Sequence, residues 1–319
     1  MGKRPRQAPP LRQAAHPPGL LELDRFSAAS LEQWKQLSDD LDELNSVLFF
    51  GLEPQRQKYR ADLLEALRAH PAPPLSFTRW MRIVEYRYSD EPLSAAGSLT
   101  GVGGRFNVGL DVDQRIGPPW PALYLASDVG TAYREKYQLA QGATVAGLSP
   151  EDLALSSHAS TSNLCLSGHI DRVFDLGAPR ALTAVCKVLG QMRLPGDVAR
   201  LLKRLKRPAR SIFMIKTPAQ LQAVVLQHNW RIGPVQFGLP SPSQVLAELL
   251  RAAGFEAIRF PSTKSQGICL AVFPDNIGSA ATFVELADPA PNRVRPTRLS
   301  LDTAADLCGW ELLSPRERP

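Results

Sequence analysis

The chain has 319 residues, of which 44% are hydrophobic and 21% charged, and its formal net charge is +6. These fractions are ordinary for a globular protein, and no apolar run approaches the roughly 20 residues that span a bilayer. The first six residues are basic but have no apolar stretch behind them, so they do not resemble a secretory signal. We therefore expect a cytoplasmic protein, with signal-independent delivery into another cell's cytoplasm as the alternative.

The cysteines and histidines show no metal or redox motif. The four cysteines include no Cys-x-x-Cys pair, and the five histidines include no His-Glu-x-x-His sequence. Such sparse cysteines argue against a disulfide scaffold and fit a reducing compartment. We expect neither a bound metal nor a resident cofactor.

Positive charge is concentrated in three short segments, at residues 3–12, 203–210 and 293–298. A basic chain raises the question of nucleic-acid binding. Aromatic side chains are not interleaved with these segments, however, so a base-stacking platform is not indicated. A solvated or anion-facing surface is therefore favoured over a nucleic-acid site.

The N-terminal quarter is predicted to be an arm followed by helices. Residues 1–20 are rich in Pro, Gln and basic side chains, which is typical of a disordered arm. Residues 21–76 are predicted to be a helical accessory segment, with one helix starting at a capping box at Ser30 and a second over about residues 54–69. The first helix carries an apolar stripe of Leu31, Trp34, Leu37, Leu41, Leu44 and Leu48. Two helices have little core of their own, so we expect them to pack on the main domain; docking of a partner is the alternative.

Residues 78–286 form the predicted main domain, and residues 287–319 are predicted to be an extended tail. Strands are predicted at 82–88, 122–126, 172–176, 212–216, 257–260, 268–273 and 282–285. Helices are predicted after Ser127, after Ala178, around the basic segment 203–210, and over 243–253 with Gly254 as C-cap. Because strands predominate, an α+β fold is favoured over a doubly wound sheet.

Residues 103–109, Gly-Gly-Arg-Phe-Asn-Val-Gly, are the most informative stretch of the chain. Glycines let backbone amides approach an anion closely and form a nest around it, and Arg105 among them offers planar, bidentate bonds to phosphate. The alternative is a flexible hairpin, since this is neither a P-loop nor a dinucleotide-binding glycine motif. Arg87, in the predicted strand upstream, is a second candidate contact to phosphate or ribose. Its alternative is a cross-strand ion pair.

Glu135 is the candidate catalytic carboxylate. It lies on a predicted helix that Ser127 and Asp128 can cap, one turn after Ala132. A small residue at that position would let the helix lie close to a sheet and direct Glu135 into a pocket. The alternative is an exposed glutamate paired with a neighbouring basic side chain. A carboxylate beside phosphate-binding arginines suits a reaction in which positive charge develops on a sugar carbon.

Two further side chains are candidates for ligand contact. Tyr124 lies in a predicted strand and is either a core or pleat-facing residue or an aromatic surface for a ligand. Ser262 follows Pro261 at the end of a β-like run, where its hydroxyl could bind ribose or phosphate or simply stabilise a turn. Ser265 is close enough in sequence to be the relevant serine instead.

The order of these residues resembles the RES-domain family, which is named for its Arg, Glu and Ser. The matching positions are Arg87, Arg105 and Asn107 in the glycine turn, Tyr124, Glu135 and Ser262. The resemblance covers about two-thirds of the chain. The family usually has Trp where this chain has Phe106, and residues 140–165 and 190–240 resemble insertions. The resemblance implies an ADP-ribosyltransferase-like split β-sheet core with peripheral helices.

The resemblance also implies a toxin that degrades NAD, with NAD as substrate and not as cofactor. Glu135, Arg87 and Ser262 would then be catalytic, and the NAD contacts would be Arg87, Arg105, Asn107, Tyr124 and Ser262. The acceptor would be water or phosphate, and a separate antitoxin or immunity protein would restrain the enzyme. Two alternatives are a mono-ADP-ribosyltransferase acting on a protein or nucleic acid, and a non-enzymatic basic regulator that binds nucleic acid.

Overall fold

The computed structural model describes residues 28–138 and 161–309. The helices in these ranges are α1 (Ala28–Lys58), α2 (Arg60–Arg68), α3 (Val129–Tyr137), α4 (Pro179–Leu189), α5 (Asp197–Arg204), α6 (Pro218–Val225), α7 (Ile232–Phe237), α8 (Pro242–Ala252) and α9 (Ala304–Cys308). The strands are β1 (Leu75–Glu85), β2 (Leu123–Ala126), β3 (Thr161–Ile170), β4 (Val173–Asp175), β5 (Ala257–Pro261), β6 (Ile268–Val272), β7 (Phe283–Leu286) and β8 (Arg298–Ser300). Within the described residues, no helix combines the length and the apolar character that a membrane span requires.

The eight strands of the described residues form one sheet in the order β4-β5-β6-β2-β1-β3-β7-β8. Neighbouring strands are antiparallel except for the parallel pair β4 and β5. β1 is paired with β3 along most of its length, whereas the register pair Met81↔Ala126 alone joins β1 to β2. The sheet is therefore split between β1 and β2, and the predicted α+β fold with a split sheet is confirmed.

The alternation of side chains along the strands divides the core between the two faces of the sheet. In β2, Leu123 and Leu125 point into one hydrophobic cluster, while Tyr124 and Ala126 belong to the other. The Tyr124 face is covered by α2, α4, α6 and α8, and the opposite face by α9. The helical face is the larger core, and it carries the candidate functional residues.

The N-terminal helices differ in their bounds from the prediction. α1 starts at Ala28, so Ser30 lies inside the helix and is not its N-cap, and α1 continues through Pro54 to Lys58. The break between the helices comes at Tyr59. Leu44 of the predicted apolar stripe is buried, but Leu37 and Leu41 are exposed. The stripe is therefore only partly covered by the rest of the described structure.

The helical segment packs on the main domain, as predicted. Leu44 of α1 joins a hydrophobic cluster with Val198, Leu201 and Leu202 of α5. Arg204 of α5 forms ion pairs with Asp40 and Glu43 of α1, and α2 buries Leu63 and Leu67 in the main core. The prediction placed a helix over the basic segment 203–210, but the observed helix is Asp197–Arg204 and overlaps that segment only at its end. Arg204 of this basic segment therefore binds α1 to the main domain through ion pairs.

Several strand predictions hold and others are wrong. The sequence correctly predicts the positions of β2, β4, β5, β6 and β7. Residues 212–216, in contrast, are irregular and not a strand. Ile212 packs against the hydrophobic cluster of α1 and α5, whereas Met214 and Ile215 pack against the main core. β1 ends at Glu85, so Arg87 lies on the 3-10 turn Tyr86–Tyr88. β3, β8, α6, α7 and α9 are not predicted. β8 and α9 fall in the expected tail, where Leu299 and Leu307 are buried. The predicted arm at 1–20 and most of the insertion at 140–165 lie outside the described residues.

Candidate active site

A cavity of about 370 Å³ opens at the split between β1 and β2. This volume lies within the range of about 300–1,000 Å³ that is usual for small-molecule sites. The wall is built from β1, the glycine turn, β2, α3, β5 and the loop that precedes α7. Charged side chains in the wall are Arg82, Arg105, Glu135, Lys136 and Arg231, and Tyr124 and Trp230 add aromatic rings.

Glu135 enters this wall from α3. The Asp128 side chain caps the helix by accepting a hydrogen bond of 2.8 Å from the Thr131 amide, as the sequence predicts. Ala132, one turn before Glu135, is buried and also lines the cavity, so the helix lies close to the sheet. Oε1 of Glu135 accepts hydrogen bonds from the Ser262 hydroxyl at 2.6 Å and from the Thr263 amide at 3.1 Å. The carboxylate is therefore held in one orientation at the cavity wall.

Ser262 begins the loop that holds Glu135. Its Oγ donates to Glu135 and accepts from the amides of Lys264 at 3.0 Å and Ser265 at 3.1 Å, which closes a tight turn. Ser265 instead contacts Thr131, with 2.7 Å between the two hydroxyl oxygens. The geometry thus places Ser262, and not Ser265, on the candidate catalytic carboxylate. Its hydroxyl acts as a positioning group.

The glycine turn packs against Tyr124 and does not form the hypothesised anion nest. The Gly104 amide donates to Oδ1 of Asn107 at 2.9 Å, and the Phe106 amide donates to the Tyr124 hydroxyl at 2.9 Å. A Cβ on Gly104 would lie 2.4 Å from that hydroxyl oxygen. The nest hypothesis is therefore wrong for these amides, because they already have protein partners. The small residue is required so that the tyrosine can lie against the turn.

Asn107 lies behind the turn and is completely buried. Its Nδ2 donates to the carbonyls of Ser98 at 2.7 Å and Trp120 at 3.2 Å, while Oδ1 accepts from the Tyr124 hydroxyl at 2.9 Å. Burial raises the pKa of Tyr124 well above its usual value, so the phenol remains neutral. Asn107 therefore orients the tyrosine, whose ring lines the cavity. The Asn107 side chain is itself buried behind the turn.

Gln244 is a buried residue of the site that the sequence does not reveal. It occupies the first turn of α8, where its side-chain oxygen completes a capping box with Ser241. Its Nε2 donates to the carbonyls of Val102 at 2.9 Å, Gly104 at 3.1 Å and Asn107 at 2.8 Å. One side-chain amide thereby fixes three carbonyls of the glycine turn. It fixes the position of the turn relative to the helical layer.

Arg82 occupies the split in the sheet, and the sequence analysis did not single it out. The Arg82 guanidinium donates to the carbonyls of Pro92 at 3.0 Å, Ser94 at 2.8 Å and Tyr124 at 3.3 Å. Burial lowers its pKa to about 10. The signal that could have found it is a lone charge in the apolar run Trp-Met-Arg-Ile-Val, since a charged side chain is almost never buried unless it has polar partners. The Arg87 side chain lies outside the described part of the structure, so its role stays a prediction.

Arg105 is almost fully buried, with 5% of its surface exposed. One terminal nitrogen donates to the carbonyls of Val225 at 3.2 Å and Gln227 at 2.8 Å, and the other donates to the Thr263 hydroxyl at 3.2 Å. Burial lowers the pKa of Arg105, and the nearby Glu135 carboxylate opposes this shift. Arg105 therefore ties the glycine turn to the C-terminal end of α6 and to the loop after β5, which leaves it less of its hydrogen-bonding capacity for a phosphate than the sequence suggests.

Two other cations interact electrostatically with Glu135. Desolvation lowers the pKa of Arg231, which is partly exposed to solvent, and of Lys264, and in both cases the Glu135 carboxylate opposes the shift. Lys264 is buried in the loop after Ser262, and its Nζ lies 2.9 Å from Nδ1 of His228. The carboxylate is thus set among positive groups, which is a suitable environment for a ligand with both anionic and cationic parts.

A family comparison agrees with this geometry. The RES-domain family matches residues 79–294, which is more than half of the chain. The chain belongs to the RES-domain family. Among solved structures, the RES domain is similar to the crystal structure of the M. tuberculosis MbcT–MbcA toxin–antitoxin complex, with a TM-score of 0.40 and 16% sequence identity. That alignment covers 77% of this chain and 96% of the other. Comparison with curated proteins gives no match.

Within this RES domain, three predicted site residues lie in the cavity wall, namely Arg105, Tyr124 and Glu135. Ser262 reaches the site through its hydrogen bond to Glu135. The residues that sequence reasoning missed are Arg82, Trp230, Arg231, Gln244 and Lys264. The last four were missed for the same reason. Their elements meet the glycine turn only in the folded chain, so no local sequence pattern predicts their place in the site.

Proposed function

We propose that this RES-domain protein is a toxin that cleaves the nicotinamide–ribose bond of NAD, with water or inorganic phosphate as acceptor. The observation that carries the proposal is the Glu135 carboxylate, fixed through Oε1 in the wall of a cavity of about 370 Å³. Hydrogen bonds from the described residues reach Oε1, which leaves Oε2 for a ligand. This is the arrangement that a developing positive charge requires.

The chemistry uses a leaving group that is already activated. Nicotinamide in NAD carries a positive charge, so the bond between its nitrogen and the ribose carbon can break without a proton being donated. The bonding electrons go to nicotinamide, and the ribose acquires oxocarbenium character, as in glycoside cleavage. The negative charge of Glu135 stabilises that state more than it stabilises bound NAD. An oxygen of water or phosphate then forms the new bond to the same carbon.

The remaining side chains have roles that follow from their contacts. The Tyr124 ring offers an aromatic face for the nicotinamide, because its hydroxyl is already engaged by Phe106 and Asn107. Ser262 orients the carboxylate, and the surrounding cations attract the diphosphate. Together these groups would place the ribose carbon beside Glu135, and positioning of this kind supplies a large part of enzymatic rate enhancement.

A toxin of this kind depletes NAD in the cell that makes or receives it, so a producing cell needs protection. We therefore propose that a separate antitoxin or immunity protein closes the cavity. Its presence would be detected by co-expression: a protective partner should restore growth and co-purify with the chain. Loss of NAD in unprotected cells, together with growth arrest, would be the matching sign of toxicity.

The direct test is nicotinamide release from NAD by the purified protein, with and without inorganic phosphate. We expect release by the wild type and a loss of at least about a hundredfold in kcat for Glu135→Gln, with NAD binding largely retained. Glu65→Gln, which alters an exposed glutamate of α2, is the matched control. Release in the absence of added acceptors identifies hydrolysis, and phosphate dependence identifies phosphorolysis. Transfer of labelled ADP-ribose to a macromolecule without free product would replace this proposal with a transferase activity, and no cleavage at all would refute it.

A further inference from the structure

We propose that Arg231 is a binding residue for a phosphate group in the cavity. In NAD cleavage, that phosphate belongs either to the diphosphate of the substrate or to the inorganic phosphate that acts as acceptor. The identity of the substrate rests on the proposed function. The anion site itself does not, because it can be measured with ligands that are never cleaved.

The first argument is the position of the guanidinium. Trp230 is buried, with 3% of its surface exposed, and the Arg231 guanidinium carbon lies 4.5 Å from the centroid of its ring. Both residues line the cavity. Stacking on an aromatic face fixes the plane of a guanidinium while its N–H donors remain directed outward along the edge. Trp230 therefore presents Arg231 to the cavity in a defined orientation.

The second argument is the state of its donors compared with those of the other arginines in the wall. Arg82 donates to three carbonyl oxygens, and Arg105 donates to two carbonyls and a hydroxyl. Among residues 28–138 and 161–309, no carboxylate or carbonyl oxygen accepts a hydrogen bond from Arg231. Arg231 is therefore the arginine of the wall whose donors are available to a ligand.

The third argument is charge. Arg105 lies on the same indole, with its guanidinium carbon 5.8 Å from the ring centroid. The pKa of Lys264 is lowered mainly by burial and, to a smaller extent, by repulsion from Arg105 and Arg231. Three cations near one carboxylate favour an anionic ligand, and a guanidinium edge matches two phosphate oxygens at once.

The test compares ADP binding to the wild type, Arg231→Gln and Arg231→Lys by calorimetry. We expect Arg231→Gln to weaken ADP binding by about tenfold to a hundredfold, and lysine to recover only part of the loss because it cannot bond bidentately. Arg210→Gln removes the same charge from an exposed position in the same segment and should leave the affinity unchanged. Equal melting temperatures would show that the variants are folded.

Kinetic measurements then separate the two sources of the phosphate. A higher KM for NAD, with unchanged cleavage of nicotinamide riboside, which has no phosphate, would assign Arg231 to the substrate diphosphate. A higher half-saturating concentration of inorganic phosphate would assign it to the acceptor. Arg231-dependent ADP or phosphate binding without NAD cleavage would refute the proposed function and keep the anion site. Equal ADP and phosphate affinities in the wild type and Arg231→Gln, or no binding of either anion to the wild type, would overturn the inference.

Discussion

The Ser262 hydroxyl donates a hydrogen bond of 2.6 Å to Oε1 of Glu135. The same oxygen of Ser262 accepts hydrogen bonds from the amides of Lys264 and Ser265. The hydroxyl proton therefore has one favourable direction, toward the carboxylate. A residue of β5's terminal loop thus determines the orientation of a residue of α3, although the two are 127 positions apart in sequence. The Ser262 and Glu135 side chains therefore form one hydrogen-bonded unit.

We expect Ser262→Ala to lower kcat for NAD cleavage by about tenfold to a hundredfold, since a hydrogen bond to a charged group contributes roughly 1.5–3 kcal/mol. KM for NAD should change little, because the serine acts through Glu135. Steady-state measurement of nicotinamide release would show this split between kcat and KM.

Two further variants make the result specific. Ser262→Thr keeps the hydroxyl and should restore most of the rate, whereas Ser265→Ala removes a hydroxyl from the same loop without touching Glu135 and should retain activity within about threefold. If Ser265→Ala lost as much activity as Ser262→Ala, the effect would come from the loop in general. The assigned positioning role would then be incorrect.

The glycine turn gives a prediction about stability. Gly104→Ala would place a Cβ 2.4 Å from the Tyr124 hydroxyl and 2.6 Å from Oδ1 of Asn107, so the tyrosine must move. We expect a decrease of about 1–3 kcal/mol in the free energy of unfolding, as is usual for overpacking. Denaturant unfolding would measure it. Gly117→Ala is the matched control, because a Cβ there meets nothing within 4 Å. Equal losses in both variants would contradict the contact-based explanation.

The parts of the site that the sequence predicted are those with a local signature. Glu135 follows a capped helix start and a small residue one turn earlier, so its direction toward a pocket could be inferred from α3 alone. Arg105 could be recognised by its neighbouring glycines, but its hydrogen bonds could not be predicted, because Val225 and Gln227 lie at and just beyond the end of α6, more than 100 residues away. Local patterns identify candidate residues, whereas the partners that occupy their donors appear only after folding.

The strand prediction at Arg87 failed for a different reason. Alternation in Glu-Tyr-Arg-Tyr suggested a strand through Arg87, but β1 ends at Glu85 because the chain turns into a 3-10 helix. Arg82, three residues before that end, is the arginine that the sheet brings to the cavity. The split between β1 and β2 is a long-range feature of pairing, so the chain around Arg82 carries no sign of it beyond one charge among apolar neighbours.

Arg82 should contribute strongly to the free energy of unfolding, because it bridges the split between β1 and β2. Arg82→Lys keeps the charge but cannot reach the carbonyls of Pro92, Ser94 and Tyr124 together, so we expect a loss of about 3 kcal/mol in the free energy of unfolding. Arg79→Lys, in the same strand, is the control: its contact with Asp288 spans 3.5 Å and is largely exposed. That change should cost less than about 1 kcal/mol. Similar losses in the two variants by urea denaturation would refute the bridging role of Arg82.

His70 predicts how stability depends on pH. Its ring packs edge-on against Phe174, with 5.6 Å between ring centroids. Burial lowers its pKa, and the nearby Asp175 opposes the shift only in part. The unfolded chain therefore takes up a proton near pH 6.5, before the folded chain does. The stability that a neutral His70 contributes is complete above that pH and is lost as the pH falls through the lower pKa of the folded state.

Replacement of His70 by Phe keeps the aromatic contact and removes the titration, so the variant should lose less stability than the wild type below about pH 6. Urea unfolding between about pH 5 and 8 measures the difference. Parallel curves for the two proteins would show that His70 does not couple folding to protonation.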